Sequence, residues 1–263
     1  MNTFNSHEIW LSFLPLLLVN IFALSSIPLY IWVRKKAPKS KVEDELNKRH
    51  HSKLLNRWFK EYWYWVTSPI EKAALRLKLS PNFFTSLGFL ICLGSGFAYF
   101  FGYLGLAGWC VILGGTCDMF DGRIARLTNH SSRAGAFYDS VMDRYGEVVT
   151  FMGLACFYRQ HWFFYFILAS LVGSVLVSYA RARGESVGVT FQGGSMQRPE
   201  RIVYLGVSSI FSPLFALMFG WIHPALNSNF LLYLAVIMIA VMTNWTAVYR
   251  TFWIYRELER KSQ

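Results

Sequence analysis

Long apolar runs separated by short polar segments dominate the chain. Seven of these runs approach or exceed the roughly 20 residues that an α-helix needs to cross a bilayer. The pattern therefore predicts an all-α fold, a polytopic membrane helix bundle with six core transmembrane helices and one extra N-terminal span. The predicted spans are residues 10–33, 82–103, 105–125, 134–158, 161–181, 202–222 and 229–250.

The first apolar run has the features of a retained span rather than of a cleaved signal peptide. Residues 1–9 contain no Lys or Arg, so the basic segment that opens a signal peptide is missing, and the run is long for the apolar part of such a peptide. The predicted organisation is an N-terminal span (1–33), a basic cytoplasmic linker (34–53), an interfacial helix (54–80), a six-helix core (81–250) and a cytoplasmic tail (251–263).

The segment after the linker interleaves aromatic and charged side chains. Trp58, Tyr62 and Trp65 stand in it among basic residues. An aromatic, basic and amphipathic helix of this kind lies in the headgroup layer of a membrane. A solvated linker would expose these rings to water, so we expect an interfacial amphipathic helix.

The composition agrees with a membrane protein. Hydrophobic residues make up 54% of the chain and charged residues 16%, against about 25% charged residues in an ordinary soluble protein. The mean hydropathy is +0.31. These values exclude a disordered chain, a disulfide scaffold and a soluble nucleic-acid-binding module, and we expect no nucleic-acid partner.

The distribution of charge predicts how the helices are oriented. The chain has 26 Lys and Arg against 15 Asp and Glu, a net charge of +11. Segments 34–81, 123–133, 181–201 and 250–263 hold 13, 3, 4 and 4 of the basic residues, whereas the alternate loops hold only Arg159. Because basic residues concentrate in cytoplasmic loops, we expect a cell-membrane protein with its N-terminus outside. Its C-terminus and active site are then on the cytoplasmic side.

Four of the five aspartates lie within 26 residues of one another. Asp118 and Asp121 are three residues apart, so both project from one face of a helix. Asp139 and Asp143, four residues apart, do the same on the next helix. The short segment between the two pairs predicts antiparallel neighbouring helices whose carboxylates face each other.

Ionisable groups inside membrane spans are costly and by default indicate a functional site. Four like charges in one place need neutralisation, either by shared protons or by divalent cations, and an oxygen-only ligand set indicates Mg²⁺, Mn²⁺ or Ca²⁺. Two cations held in this way bridge phosphoryl oxygens and favour in-line phosphoryl transfer. A cation transporter, in which the aspartates form an ion path, is the alternative from a different class of protein.

Written out from Asp118 to Asp143, the stretch reads D-x2-D-G-x2-A-R-x8-G-x3-D-x3-D. It resembles the signature of the CDP-alcohol phosphatidyltransferases at every fixed position. The resemblance covers roughly residues 70–250 and implies six spans, with the motif across the second and third. It also implies the reaction: an alcohol attacks the β-phosphorus of a CDP-lipid such as CDP-diacylglycerol, and CMP leaves. The resemblance implies a homodimer as well.

The resemblance further implies roles for individual residues. Two divalent cations, Mg²⁺ or Mn²⁺, would be bound by four aspartates, and the last of these, Asp143, would also be the general base. The implied metal ligands are Asp118, Asp121, Asp139 and Asp143. The implied contacts with the CDP-lipid are Pro81, Asn82, Phe83, Phe84, Gly122, Arg126 and Ser132.

The segment between the fifth and sixth of the seven predicted spans, 161–181 and 202–222, indicates the acceptor. Its basic residues are all arginines, whose guanidinium groups favour bidentate binding of phosphate. Its A-R-G-E and R-P-E-R sequences resemble the phosphatidylinositol phosphate synthases, which implies inositol 1-phosphate as acceptor. Glycerol 3-phosphate is the runner-up, followed by the unphosphorylated alcohols inositol, serine and ethanolamine. The predicted phosphate-binding residues are Arg181, Arg183, Arg198 and Arg201.

Overall fold

The computed structural model describes residues 25–34, 57–191, 193–219 and 229–262. Every regular element in these ranges is a helix, which confirms the predicted all-α fold. Residues 25–34 form α1. The other helices are α2 (Arg57–Arg76), α3 (Pro81–Phe100), α4 (Leu104–Leu127), α5 (Arg133–Phe157), α6 (Phe163–Ser186), α7 (Arg198–Phe219) and α8 (Phe230–Ser262).

Three helices in the described part of the chain are long and apolar enough to cross a membrane. By length and composition these are α3, α6 and residues Phe230–Lys261 of α8. The core helices α4 and α5 carry the four aspartates among their apolar residues. Six core spans therefore stay a prediction. Residues 10–24 of the first predicted span and 35–53 of the predicted linker lie outside the described residues.

Three helices continue beyond the predicted spans. α6 reaches Ser186 and α7 begins at Arg198, so the arginines predicted on a loop lie on helical turns instead. α8 continues without a break to Ser262, so the segment predicted as a cytoplasmic tail belongs to the same helix. Polar turns can extend an existing helix because each added residue forms one more backbone hydrogen bond without a new nucleus.

Serine caps precede α3, which carries four of the predicted lipid contacts, and α5, whose cap Ser132 is itself one of them. The Ser80 side chain accepts a hydrogen bond from the Phe83 amide at 3.2 Å, and Pro81 occupies the first turn of α3. The Ser132 side chain accepts one from the Gly135 amide at 3.0 Å at the start of α5. A capping serine satisfies an amide that the helix leaves unpaired, and proline suits the first turn because it lacks an amide hydrogen.

The central helix of the aspartate-bearing half is α3. It packs extensively against both α4 and α5, whereas α4 and α5, predicted as antiparallel neighbours, contact each other only slightly. Close approach of α3 and α5 requires Gly96 and Gly153: a Cβ on Gly96 would lie 2.8 Å from the Val149 carbonyl oxygen, and one on Gly153 would collide with the Gly96 backbone. On the other side of the bundle, α4 packs on α7, and α8 packs on both α6 and α7.

The N-terminal helix α1 packs against α2. The hydroxyls of Ser26 and Tyr62 are 2.8 Å apart, and Arg34 Nη2 lies 2.7 Å from Glu61 Oε2. The observed α2 falls inside the predicted amphipathic segment 54–80. Its position in the headgroup layer stays a prediction.

Candidate active site

The aspartates converge where α4 ends and α5 begins. One carboxylate oxygen from each of Asp118, Asp121 and Asp139 lies within 4.8 Å of the others. Asp121 is buried, whereas the other two are half-buried. The spacing on α4 puts its two carboxylates on one face, and the second turn of α5 brings Asp139 opposite them. Carboxylates from the two helices therefore face each other, as predicted.

Asp143 joins this cluster through Arg198. Arg198 Nη1 lies 2.8 Å from Asp118 Oδ2, and Arg198 Nη2 lies 2.6 Å from Asp143 Oδ1. The guanidinium thus bridges α4 and α5 from the first turn of α7. Arg198 and the neighbouring Arg144 cannot balance four carboxylates, so the cluster keeps a negative potential that attracts cations.

Two further observations test whether these residues suit a divalent cation. Thr85 Oγ1 donates a hydrogen bond to Asp121 Oδ2 at 2.7 Å and so orients that carboxylate. Asp139 Oδ1 is buried and has no hydrogen-bond partner among the described residues. A buried oxygen without a partner is costly, and an oxygen-only ligand set suits Mg²⁺ or Mn²⁺. The residues present therefore fit a divalent cation.

A cleft opens at the cluster between α3, α4, α5 and α7. On the α3 side Gly88 lies against α4, where a Cβ would be 3.1 Å from Cys117 Cβ and 3.3 Å from the Gly114 carbonyl oxygen. The polar and glycine residues that line the cleft are Thr85, Gly88, Gly114, Asp118, Asp121, Asp143 and Arg198.

A second buried ion pair lies one helical turn away from the cluster. Arg201 Nε and Nη2 donate to Glu147 Oε1 and Oε2 at 2.6 and 3.1 Å, and Arg201 Nη1 donates to the Met196 carbonyl at 3.3 Å. The Arg201 side chain is 2% exposed. Glu147 follows Asp143 by one turn of α5. Arg201 likewise follows Arg198 on α7, so the two ion pairs form successive rungs between the helices.

A model of the CDP-alcohol phosphatidyltransferase family matches residues 78–253. The chain belongs to this family. The predicted family and enzyme class are thereby confirmed, and the protein is a membrane-integral CDP-alcohol phosphatidyltransferase. A cation transporter is no longer an alternative, because the matched region contains all four aspartates and defines a transferase.

Relatives and solved structures agree with this assignment. An archaetidylinositol phosphate synthase of Pyrococcus horikoshii is 34% identical over 151 residues, 56% of this chain and 79% of the archaeal protein. The crystal structure of Mycobacterium tuberculosis phosphatidylinositol phosphate synthase with CDP-DAG bound is similar with a TM-score of 0.61 and 28% identity, over 72% of this chain and 94% of that chain. The same enzyme in complex with manganese and citrate gives a TM-score of 0.62 at 28% identity, over 72% of this chain and 88% of that chain.

These findings support the predicted divalent-cation chemistry. The mycobacterial enzyme carries manganese, and three aspartates of this phosphatidyltransferase form a cluster that could hold such an ion.

Four of the residues predicted to contact the CDP-lipid lie at the start of α3. Pro81, Asn82 and Phe83 form its first turn, and the Phe83 side chain is 46% exposed. Phe84 is 5% exposed, and its ring packs edge-on against Phe120 of α4 with the ring centroids 5.6 Å apart. The structure thus places Phe84 between two helices and leaves Phe83 on the surface.

The other predicted lipid-contacting residues lie close to that turn. A Cβ added to Gly135 would lie 3.1 Å from Ser132 Oγ and 3.6 Å from Asn82 Oδ1, so the starts of α3 and α5 are adjacent. A Cβ on Gly122 would lie 3.3 Å from Arg126 Nη1, so the missing side chain leaves room for Arg126 along the end of α4. The structure brings both groups of predicted residues to the same end of the bundle.

The four arginines predicted to bind the acceptor are separated by the structure. Arg198 lies in the cleft, and Arg201 is buried one turn behind it. Arg181 and Arg183 are exposed on the last turns of α6, where Arg181 Nε donates to Glu185 Oε1 at 2.9 Å.

Sequence reasoning did not identify Thr85 or Glu147. Thr85 directly follows the predicted Pro81–Phe84 stretch, but a threonine in an apolar span gives no signal of its own. Glu147 lies four residues after Asp143, on the same face of α5, and that spacing was the available signal for it.

Proposed function

We propose that this enzyme transfers the phosphatidyl group of CDP-diacylglycerol to inositol 1-phosphate and releases CMP. The observation that carries the proposal is the place of Arg198, which lies 2.8 and 2.6 Å from Asp118 and Asp143 and whose guanidinium is suited to bidentate binding of phosphate. The names of the relatives support it, since one is an archaetidylinositol phosphate synthase and another a phosphatidylinositol phosphate synthase with CDP-DAG bound.

In this proposal, the aspartate cluster holds two divalent cations, Mg²⁺ or Mn²⁺. When bound, such cations neutralise the carboxylates and stabilise negative charge on the phosphoryl oxygens of the CDP-lipid. The convergence of three carboxylates and the partnerless oxygen of Asp139 support this assignment. The ligands would be Asp118, Asp121, Asp139 and Asp143.

Asp143 serves as the general base. The acceptor hydroxyl oxygen forms a bond to the β-phosphorus, the bond from this phosphorus to the CMP oxygen breaks, and the hydroxyl proton passes to Asp143. Phosphoryl transfer requires positioning and charge stabilisation more than covalent chemistry by the protein. The contact between Asp143 and Arg198 supports this role, because a phosphate on Arg198 would hold the rest of the acceptor beside Asp143.

The four arginines take different parts in acceptor binding. Arg198 contacts the acceptor phosphate directly. Arg201 supports Arg198 from the next turn of α7, because its own guanidinium is engaged by Glu147. Arg181 and Arg183, which are exposed at the end of α6, attract the phosphorylated acceptor towards the cytoplasmic end of the bundle.

The CDP-lipid lies at the adjacent starts of α3 and α5 and the end of α4. The exposed Phe83 contacts the nucleotide, whereas Phe84 holds α3 against α4. The full set of proposed contacts is Pro81, Asn82, Phe83, Phe84, Gly122, Arg126 and Ser132.

An acceptor panel tests this proposal. The purified full chain in detergent receives CDP-diacylglycerol and Mg²⁺ with inositol 1-phosphate, glycerol 3-phosphate or free inositol, and CMP release is measured. We expect the highest kcat/KM with inositol 1-phosphate. Arg198→Gln should raise the acceptor KM about 10- to 150-fold, the equivalent of about 1.5–3 kcal/mol for a charge-assisted contact. The KM for CDP-lipid should change little, and Arg159→Gln, at an exposed arginine just beyond the opposite end of α5, is the control.

The panel separates the acceptors by their charge. A wild type that prefers free inositol, or an Arg198→Gln variant that changes only the KM for CDP-lipid, contradicts a phosphorylated acceptor and leaves the family reaction intact. A higher kcat/KM with glycerol 3-phosphate than with inositol 1-phosphate identifies glycerol 3-phosphate as the acceptor.

We also propose the orientation and assembly predicted from the sequence. The asymmetry of basic residues supports a cytoplasmic active site and C-terminus with the N-terminus outside. A homodimer is proposed from the family resemblance, and the mass of the detergent-solubilised protein by light scattering tests it.

A further inference from the structure

A helix outside the family match packs behind the metal-binding turn of α4. The match begins only after α2 has ended. Ala74 and Leu75 of α2 share one hydrophobic cluster with Phe120 and Ile124 of α4. Phe120 directly precedes Asp121, so α2 supports the back of the turn whose front carries the aspartates.

A buried ion pair joins the same two helices. Arg123 Nε on α4 lies 2.8 Å from Glu71 Oε2 on α2, and the two side chains are 8% and 9% exposed. The Arg123 guanidinium also lies over the Tyr64 ring of α2, 4.6 Å from the ring centroid. A guanidinium enclosed in this way cannot easily exchange its partner for water, so α2 determines where Arg123 lies.

The position of Arg123 along α4 links this contact to the metal site. Arg123 follows Asp121 by two residues and therefore leaves the helix on the opposite side from the carboxylate. Gly122, between them, has no side chain and lowers the intrinsic stability of the turn. The rotation of this turn, and with it the direction of Asp118 and Asp121, consequently depends on what holds its far side.

We propose that Glu71 and Arg123 are positioning residues, through which α2 holds the aspartate-bearing turn of α4 in its metal-binding orientation. The inference rests on the proposed metal site of the enzyme. It gives α2 a role in catalysis that is separate from contact with the membrane, although neither Glu71 nor Arg123 touches a substrate.

A double variant, Glu71→Leu with Arg123→Met, tests the proposal on the full chain in detergent. It leaves the net charge unchanged and removes both charges of this pair together, so the melting temperature should fall less than in either single variant. Manganese affinity, measured by calorimetry without substrates, should nevertheless fall about 10-fold, the loss typical when support of a metal ligand is removed. CMP release at limiting manganese should fall in parallel and recover at saturating manganese.

The control is a second ion pair of α2, which involves a different neighbouring helix. Arg34 and Glu61 are 2.7 Å apart and join α2 to α1 instead of to α4. The double variant Arg34→Met with Glu61→Leu should keep the manganese affinity of the wild type.

The outcomes distinguish the positioning role from the metal site itself. A manganese affinity in the Glu71/Arg123 double variant equal to that of the wild type overturns the positioning role, as does an equal loss in the control. If the double variant does not fold, Arg123→Lys, which keeps the buried charge, takes its place and must also lower the manganese affinity. A wild type that binds manganese no better than Asp139→Asn overturns the proposed metal site, and the positioning role with it.

Discussion

Replacing Glu147 by Gln should destabilise the enzyme strongly. Both carboxylate oxygens of Glu147 accept hydrogen bonds from Arg201, at 2.6 and 3.1 Å, and the Arg201 side chain is 2% exposed. Removing one partner of a buried ion pair leaves the other charge uncompensated and costs about 3–5 kcal/mol. Each kcal/mol lowers the Tm of a chain of this size by about 2–4 °C, so a decrease of about 6–20 °C is expected.

The assay is thermal unfolding of the full chain in detergent, followed by intrinsic fluorescence. Glu185→Gln is the control, since it breaks an exposed ion pair. The side chains of Arg181 and Glu185 are 51% and 42% exposed. An exposed pair contributes about 0–1 kcal/mol, so the control should lose at most about 4 °C. At a temperature where both variants are folded, only Glu147→Gln should raise the acceptor KM, because Arg198 lies one turn from Arg201. A Glu147→Gln variant with the same Tm as the control would refute the reasoning.

Two further predictions concern the chemistry of the cluster. Asp143→Asn should lower kcat about 10²- to 10⁴-fold, the contribution of a general base, with CDP-lipid binding largely kept because three aspartates are unchanged; near-wild-type turnover would remove Asp143 from the mechanism. Chelation with EDTA should abolish CMP release reversibly, with Mg²⁺ or Mn²⁺ restoring it, and Asp118→Ala should stay inactive at any metal concentration. CMP release that survives EDTA would contradict the metal assignment.

The sequence by itself determined the helical architecture and the class of chemistry. Apolar runs predicted spans at 82–103 and 134–158, and the structure has α3 over Pro81–Phe100 and α5 over Arg133–Phe157. The spacing of Asp118 and Asp121 predicted one shared helix face. These are local properties, because hydrophobic length and the 3.6-residue repeat are both read from neighbouring residues. The family signature is local as well, since it lies within 26 residues.

Only the tertiary structure decided which side chains meet. Arg198 and Arg201 looked equivalent in sequence, yet one bridges Asp118 and Asp143 and the other is held by Glu147. Helix periodicity gives the face on which a residue lies, but not the rotation and register of one helix against another. Those depend on close contacts between distant segments, such as the glycine contact between α3 and α5, and the pairing of buried charges follows from them.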